Sequence, residues 1–167
     1  MSLFKLRFAI LLIVLGLTDT AAVDVGQAAP ACAIASSDNN EKADFQAARG
    51  QVVYVDFWAS WCGPCAKSFP FMNRLHAGLA DKGLQIVAVN VDENLADAES
   101  FLNKQPAGFK VAWDSESECA KLFNVQAMPS TYLIDRKGVV RYVHLGFRES
   151  EAVELEEQVK QLLNESP

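Results

Sequence analysis

Two cysteines separated by two residues are the residues of this chain best suited to chemistry. They belong to the stretch Trp-Cys-Gly-Pro-Cys at 61–65, between an apolar run at 52–58 and a predicted helix over 66–79. Thiols at this spacing close into a small-ring disulfide and reopen as a dithiol. A strand followed by a helix places Cys62 at a helix N-terminus, where unpaired N–H groups and the helix dipole stabilise a thiolate. The motif predicts a redox-active disulfide between Cys62 and Cys65.

Two other interpretations of a CxxC pair are half of a zinc site and a purely structural disulfide. Zinc sites of this kind carry a second Cys or His pair at short spacing. The other candidate ligands are instead scattered along the chain, as Cys32, Cys119, His76 and His144. A structural disulfide that closes so short a loop stabilises little. The sequence therefore favours redox exchange, with no metal and no cofactor.

Asp56 is the candidate acid of the site. It stands six residues before Cys62, within an otherwise apolar predicted strand over 51–59. A buried carboxylate is costly unless it is paired or protonated, so its pKa is expected to be raised. The alternative is a solvated residue at the end of the strand.

The rest of the chain alternates predicted strands and helices and ends with a hairpin and a helix. Apolar patterns predict strands over 84–91, 110–113, 130–135 and 139–147 and helices over 95–104, 116–123 and 149–164. Pro70 is expected to kink the first helix. This order predicts an α/β fold, with a mixed central β-sheet flanked by helices on both faces.

Length and charge limit the classes of function. The chain has 167 residues, half of them apolar, which suits one compact domain with a terminal extension. With 15 basic and 21 acidic residues the net charge is −6, so no basic patch for nucleic acid is expected. We expect a linker over 23–40, a domain over 41–167 and a monomer.

Residues 1–22 are interpreted as an export signal peptide. Lys5 and Arg7 precede ten residues of apolar core at 8–17. A membrane span needs about 20 apolar residues, so cleavage after Ala22 is favoured and an uncleaved membrane anchor is the alternative. Export to an oxidising compartment would drive the CxxC pair to the disulfide unless a dedicated system keeps it reduced.

Several dispersed motifs make the chain resemble a thioredoxin-fold protein over residues 40–164. They are the stretch 55–65, Pro70, the stretch 128–131 and Gly146.

A narrower resemblance is to the TlpA/ResA-like periplasmic thiol–disulfide reductases. It rests on the export signal, on residues 133–138, and on the length of the segment between Asp92 and Met128. That segment has room for an extra βα insertion over 95–113 before the Pro129 loop. The resemblance implies a thiol:disulfide oxidoreductase of protein disulfides, with apocytochrome c as the client of some members. It also implies a membrane electron donor of the thiol-transporting type.

The resemblance also implies roles for individual residues. Cys62 is the nucleophile, Cys65 resolves the mixed disulfide, and Asp56 accepts the proton of Cys65. Pro129 forms a cis peptide that faces the disulfide. The residues implied to contact substrate are Trp61, Gly63, Pro64, Met128, Pro129 and Gly146. One departure lies at 88–90, where thioredoxins carry a lysine near the acid and this chain has Ala-Val-Asn.

Cys119 is expected to be a buried small hydrophobe, because Leu122 and Phe123 follow it at helical spacing. The alternative is a disulfide between Cys32 and Cys119 in an oxidising compartment.

The competing class of function is a copper-binding metallochaperone on a thioredoxin fold, with the two thiols as soft ligands. Sco-like copper proteins combine a longer Cys spacing with a distant His, and the spacing here departs from that pattern. Gly63 and Pro64 between the cysteines resemble the reducing members of the redox group, so the reductase direction is favoured.

Overall fold

The computed structural model describes residues 23–32, 34–36, 42–43, 45 and 50–166. The predicted signal peptide at 1–22 lies outside the described residues. None of the helices in the described part of the chain combines the length and hydrophobicity that a bilayer span requires.

The described residues form seven strands and four α-helices. The strands are β1 (Ile34–Ser36), β2 (Lys42–Ala43), β3 (Val52–Trp58), β4 (Leu84–Asn90), β5 (Lys110–Trp113), β6 (Ser130–Ile134) and β7 (Val140–Leu145). The helices are α1 (Gly63–Leu79), α2 (Leu95–Lys104), α3 (Glu118–Leu122) and α4 (Ala152–Asn164), with 3₁₀ turns at Ala80–Lys82 and Glu149–Glu151.

All seven strands belong to one mixed sheet, in the order β2-β1-β5-β4-β3-β6-β7. The central strand β3 pairs parallel with β4 and antiparallel with β6. Strand β4 pairs parallel with β5, while β1 and β7 pair antiparallel with β5 and β6. The predicted mixed α/β sheet is confirmed, and α2 with β5 forms the predicted insertion before the Pro129 loop.

Strand β3 is buried along its whole length because helices cover both faces of the sheet. On one face it packs with residues of α1, α2 and α4, and on the other with residues of α3 and of the N-terminal segment. Side chains alternate along a strand. The first face therefore receives Val52, Tyr54, Asp56 and Trp58, and the second receives Val53, Val55 and Phe57.

Helix α1 begins three residues earlier than predicted, at Gly63. Cys62 is its N-cap residue, and Pro64 stands in the first turn, where a missing N–H costs no hydrogen bond. Pro70 lies inside the helix with its side chain exposed, and the helix continues to Leu79. The motif therefore forms the helix start itself.

The segment predicted as a linker at 23–40 packs against the domain where the structure describes it. Strand β1 pairs with β5, and a backbone bridge joins Ala28 to Val139. Cys32 and Ile34 are buried. The sequence predicts only a short strand or helix within the polar residues 23–50. The structure has two short strands there, and the pairing partner of β1 lies far away in the sequence.

Candidate active site

Cys62 and Cys65 form a disulfide at the start of α1, with their Cα atoms 5.3 Å apart. The amide of Cys65 donates to Cys62 Sγ at 3.1 Å, and the amide of Cys62 donates to the carbonyl of Ala59 at 3.1 Å. Cys62 is 4% exposed and Cys65 is fully buried, so Cys62 is the sulfur that a partner reaches first. After reduction, a hydrogen bond donated to Cys62 Sγ stabilises the thiolate.

The loop before Cys62 is fixed by the buried carboxylate of Asp92. Its Oδ2 accepts from the Ser60 amide at 2.9 Å and from Asn90 Nδ2 at 2.8 Å, and its Oδ1 accepts from Ser60 Oγ at 3.1 Å. These bonds join the end of β4 to the turn between β3 and α1. The sequence predicts only a turn at Asp92 and no role in the site. The one signal is the run of three polar residues at 92–94, directly after the predicted strand over 84–91.

Asp56 is fully buried in β3, so the solvated alternative is wrong. Strand alternation places it on the same face as Tyr54 and Trp58, which pack in one cluster with Cys65. Its Oδ1 accepts from Thr131 Oγ1 at 2.6 Å, and its Oδ2 is buried with no hydrogen-bond partner among the described residues. Burial raises the pKa of Asp56 to about 7, against the opposing hydrogen bond from Thr131.

Tyr54 extends this polar group inside the apolar core. Its hydroxyl lies 3.4 Å from Thr131 Oγ1. Burial, and then the charge of Asp56, raise the pKa of Tyr54 well above its usual value. Three oxygen-bearing side chains are thus linked behind the cysteine pair.

A cleft of about 460 Å³ opens beside the disulfide, lined by residues 61–64 and 125–128. Trp61 is 72% exposed at its edge. The peptide bond from Met128 to Pro129 is cis, as the resemblance implies. The structure therefore brings four of the residues predicted to bind substrate (Trp61, Gly63, Pro64 and Met128) to the wall of one cleft.

Gly146 follows β7 and does not line that cleft. Its φ is +82°, and its amide donates to the Pro129 carbonyl at 2.7 Å. A Cβ at this position would meet no atom within 4 Å, so the positive φ, and not close packing, favours glycine.

A second cleft of about 460 Å³ lies on the other side of Trp61. Residues 60–63 form one wall, and the face of α2 that carries Asp97, Phe101 and Lys104 forms another. Cys62 thus lies between two clefts, one of which is built by the insertion.

The model of the Redoxin family matches residues 24–163. The chain belongs to the Redoxin family. It is 32% identical over 161 residues to the thiol-disulfide oxidoreductase ResA of Geobacillus kaustophilus, an alignment that covers 89% of this chain and 91% of that relative.

Solved structures agree with the family. A Chlorobium tepidum protein assigned as the thiol:disulfide interchange protein DsbE has a TM-score of 0.81 and 43% identity, with 86% of this chain and all of that chain covered. A protein from Bacteroides thetaiotaomicron assigned as a protein disulfide isomerase has a TM-score of 0.78 and 25% identity, with coverage of 86% and 92%. This Redoxin-family chain is therefore a thiol-disulfide oxidoreductase with a thioredoxin fold.

The described residues of this oxidoreductase contain no group of three or more His, Cys, Asp or Glu side chains that could hold a metal ion. His144 lies on β7, where its Nε2 forms a 2.6 Å hydrogen bond with Gln158 Oε1. His76 is half-buried on α1.

This Redoxin-family chain has a second disulfide, between Cys32 and Cys119, with Cα atoms 5.4 Å apart. The expected burial of Cys119 is confirmed, at 1% exposure, but its sulfur is bonded to Cys32, as the alternative predicts. Asp114 accepts from the amides of Cys119 and Ala120 at 3.1 and 2.8 Å. The pairing of β1 with β5 brings Cys32 to α3, and no local pattern in the sequence carries that information.

Proposed function

We propose that this oxidoreductase is an exported reductant of protein disulfides that works through Cys62 and Cys65. The observation that carries the proposal is a fully buried Asp56, with Oδ2 unpaired among the described residues, on the sheet face that packs against the cysteine pair. A carboxyl group with a pKa near 7 is suited to accept the Cys65 proton near neutral pH.

In the first step the Cys62 thiolate attacks one sulfur of a client disulfide. A bond forms between Cys62 and that sulfur, and the other client sulfur leaves as a thiolate, which takes a proton from water. Cys65 then passes its proton to Asp56 and attacks Cys62 Sγ. The bond between the cysteines forms, and the first client sulfur leaves. Two electrons have moved from the enzyme to the client.

We assign client binding to the cleft beside the cis peptide. Trp61, Gly63, Pro64 and Met128 line it, and the cis peptide joins Met128 to Pro129. Gly146 holds the carbonyl of Pro129 through its amide, so we give it a supporting role. An extended client chain in this cleft presents its disulfide to Cys62.

The second disulfide supports export. A bond between Cys32 and Cys119 persists in an oxidising compartment and is rare in the cytosol. The signal interpreted at 1–22 points to the same location. In such a compartment the reduced pair needs a supply of electrons, so we propose a membrane donor of the thiol-transporting type. Apocytochrome c, a client of some TlpA/ResA-like proteins, is the first client to test.

The reduction potential tests the direction of transfer. Equilibration of the purified protein with glutathione buffers should give a potential well below that of strong oxidants, and a value of about −120 mV would contradict the reductase proposal.

A trapping experiment tests the client. The Cys65→Ser variant should hold a mixed disulfide with an oxidised apocytochrome c peptide, and the Cys62→Ser variant should hold none. A peptide with its two cysteines in another sequence is the control for selectivity. Equal trapping of both peptides would refute apocytochrome c as the preferred client.

A further inference from the structure

Asp56 and Thr131 are directly opposite each other on the central strands β3 and β6. Both side chains are buried, at 0% and 3% exposure, and Thr131 Oγ1 donates to Asp56 Oδ1 at 2.6 Å. The Tyr54 hydroxyl lies 3.4 Å from Thr131 Oγ1. A carboxylate only accepts hydrogen bonds, so the Thr131 proton points at Asp56.

This contact makes the two oxygens of Asp56 unequal. Oδ1 already receives a hydrogen, whereas Oδ2 has no partner in the described part of the chain. A proton added to the carboxylate is therefore placed better on Oδ2. The side chain lies on the sheet face that packs against Cys65.

We propose that Thr131 is a positioning residue, which holds Asp56 Oδ1 and so leaves Oδ2 as the oxygen that exchanges a proton with Cys65. The inference rests on the proposed function, because it needs Asp56 to take that proton. When Cys65 attacks the mixed disulfide, its thiol proton moves to Oδ2, the bond to Cys62 forms, and the client sulfur leaves. When the pair is reduced again, the proton returns from Oδ2 to Cys65.

Other titratable groups face the same region. Tyr54 lies on the same strand, Cys62 and Cys65 come from α1, and β4 places only Ala88 opposite Asp56. From β7, His144 lies opposite Thr131, and its ring bonds to Gln158 of α4. Gln158 in turn donates to Glu154 at 3.3 Å. Histidine side chains exchange protons near neutral pH, so the test must separate His144 from Asp56.

The test compares Thr131→Val, which keeps the shape and removes the hydroxyl, with Thr131→Ser, which keeps the hydroxyl. Carbon-13 NMR of the reduced protein follows the Asp56 carboxyl through a pH titration. Stopped-flow mixing with glutathione disulfide follows the resolution step. Loss of a hydrogen bond to the charged form should move the titration midpoint of Asp56 up by about one pH unit in Thr131→Val. Resolution at pH 6 should slow about tenfold, because fewer molecules hold an ionised carboxylate.

Rescue and control variants separate this role from a structural one. Thr131→Ser should restore both the midpoint and the rate. Tyr132→Phe removes the neighbouring buried hydroxyl on the opposite face of β6, which bonds to the carbonyl of Phe123 at 2.7 Å, and should leave both unchanged. Thr131→Ala removes the same hydroxyl without added bulk, and should reproduce the shift if the valine variant folds poorly.

Two results would overturn the inference: an unmoved midpoint in both hydroxyl-free variants, or failure of Thr131→Ser to restore it. The inference would also be overturned if the pH dependence of the resolution rate shifted in His144→Gln but not in the Thr131 variants. The group responsible would then be His144. A different result tests the underlying function. If Asp56→Asn kept the pH profile of the natural chain, Asp56 would have no part in proton transfer, whatever Thr131 does.

Discussion

The two disulfides of this molecule lie on opposite faces of one sheet. Cys62 and Cys65 are 3 residues apart, and Cys62 lines two clefts. Cys32 and Cys119 are 87 residues apart and join the N-terminal segment to α3. Loop closure predicts that the first stabilises the fold by about 2 kcal/mol and the second by about 4–5 kcal/mol. The same bond thus serves exchange in one place and cross-linking in the other.

Each disulfide also has a buried aspartate beside it, and each aspartate is 7% exposed. Asp92 holds the loop that leads to Cys62, and Asp114 holds the amides at the start of α3. Asp56 has no equivalent near the second disulfide: among the described buried residues it is the acid with an oxygen left unpaired. The exchanging site therefore differs from the second disulfide by having a candidate proton acceptor, Asp56, beside the cysteines.

The largest expected effect is on catalysis. Cys62→Ser should abolish reduction of insulin, since it removes the nucleophile, and Cys65→Ser should accumulate mixed disulfides instead of turning over. The double variant Cys32→Ala/Cys119→Ala is the matched control, and should keep turnover close to that of the natural chain at a temperature where it is folded. Full activity in Cys62→Ser would show that the bond between Cys62 and Cys65 is not the exchanging disulfide.

The next effect is on stability. Cys32→Ala/Cys119→Ala should lower the free energy of unfolding by about 4–5 kcal/mol, because the unfolded chain regains the freedom of a long loop. Urea denaturation of the oxidised proteins measures this. A loss no larger than that caused by Cys62→Ala/Cys65→Ala would contradict the assignment of Cys32 and Cys119 as the cross-link.

Asp56 should give the stability of the oxidised protein a pH dependence. Its pKa is raised from 3.8 to about 7 in the folded chain, so the folded chain favours the neutral form. The contribution is complete below about pH 4 and is lost as the pH rises through about 7, a fall of about 4 kcal/mol.

Denaturation at a series of pH values tests this contribution. Asp56→Asn should remove the fall in the free energy of unfolding between about pH 4 and pH 7. Asp81→Asn, at an exposed position, should keep it. If the free energy of unfolding of Asp56→Asn depended on pH as it does in the natural chain, other groups would be responsible for that dependence.

The smallest effect separates the two buried aspartates. Asp92→Asn and Asp114→Asn should each lower stability by about 1–3 kcal/mol, because each leaves a buried donor poorly satisfied. Only Asp92→Asn should also slow attack by Cys62, since only Asp92 holds the Ser60 loop. Alkylation of the reduced proteins with iodoacetamide measures that rate. Equal rates in both variants would show that Asp92 is purely structural.

Local patterns were sufficient for the elements that position the site. The bounds of α2 (Leu95–Lys104) and β5 (Lys110–Trp113) match the prediction, because each has its own apolar pattern and polar ends. The burial of Asp56 also followed from its apolar neighbours. The start of α1 was placed too late, because Gly63 and Pro64 look like helix breakers although a first turn accepts them.

Contacts between residues far apart in the chain could not be predicted from the sequence. The partner of Asp56 lies on β6, and the Asp92 bonds join the ends of β3 and β4, so both depend on sheet register. The Cys32–Cys119 bond remained an alternative for the same reason. Its two cysteines meet only after β1 has paired with β5.

The N-terminal segment contacts strands near both edges of the sheet. Near its start, the Gly26 amide donates to Val140 of the edge strand β7 at 2.7 Å, and further along β1 covers the free edge of β5. An uncovered strand edge invites strands of other molecules. The bond from Cys32 to Cys119 ties the residues just before β1 to α3. We therefore expect its loss to loosen β1 and to expose the edge of β5 to strands of neighbouring molecules.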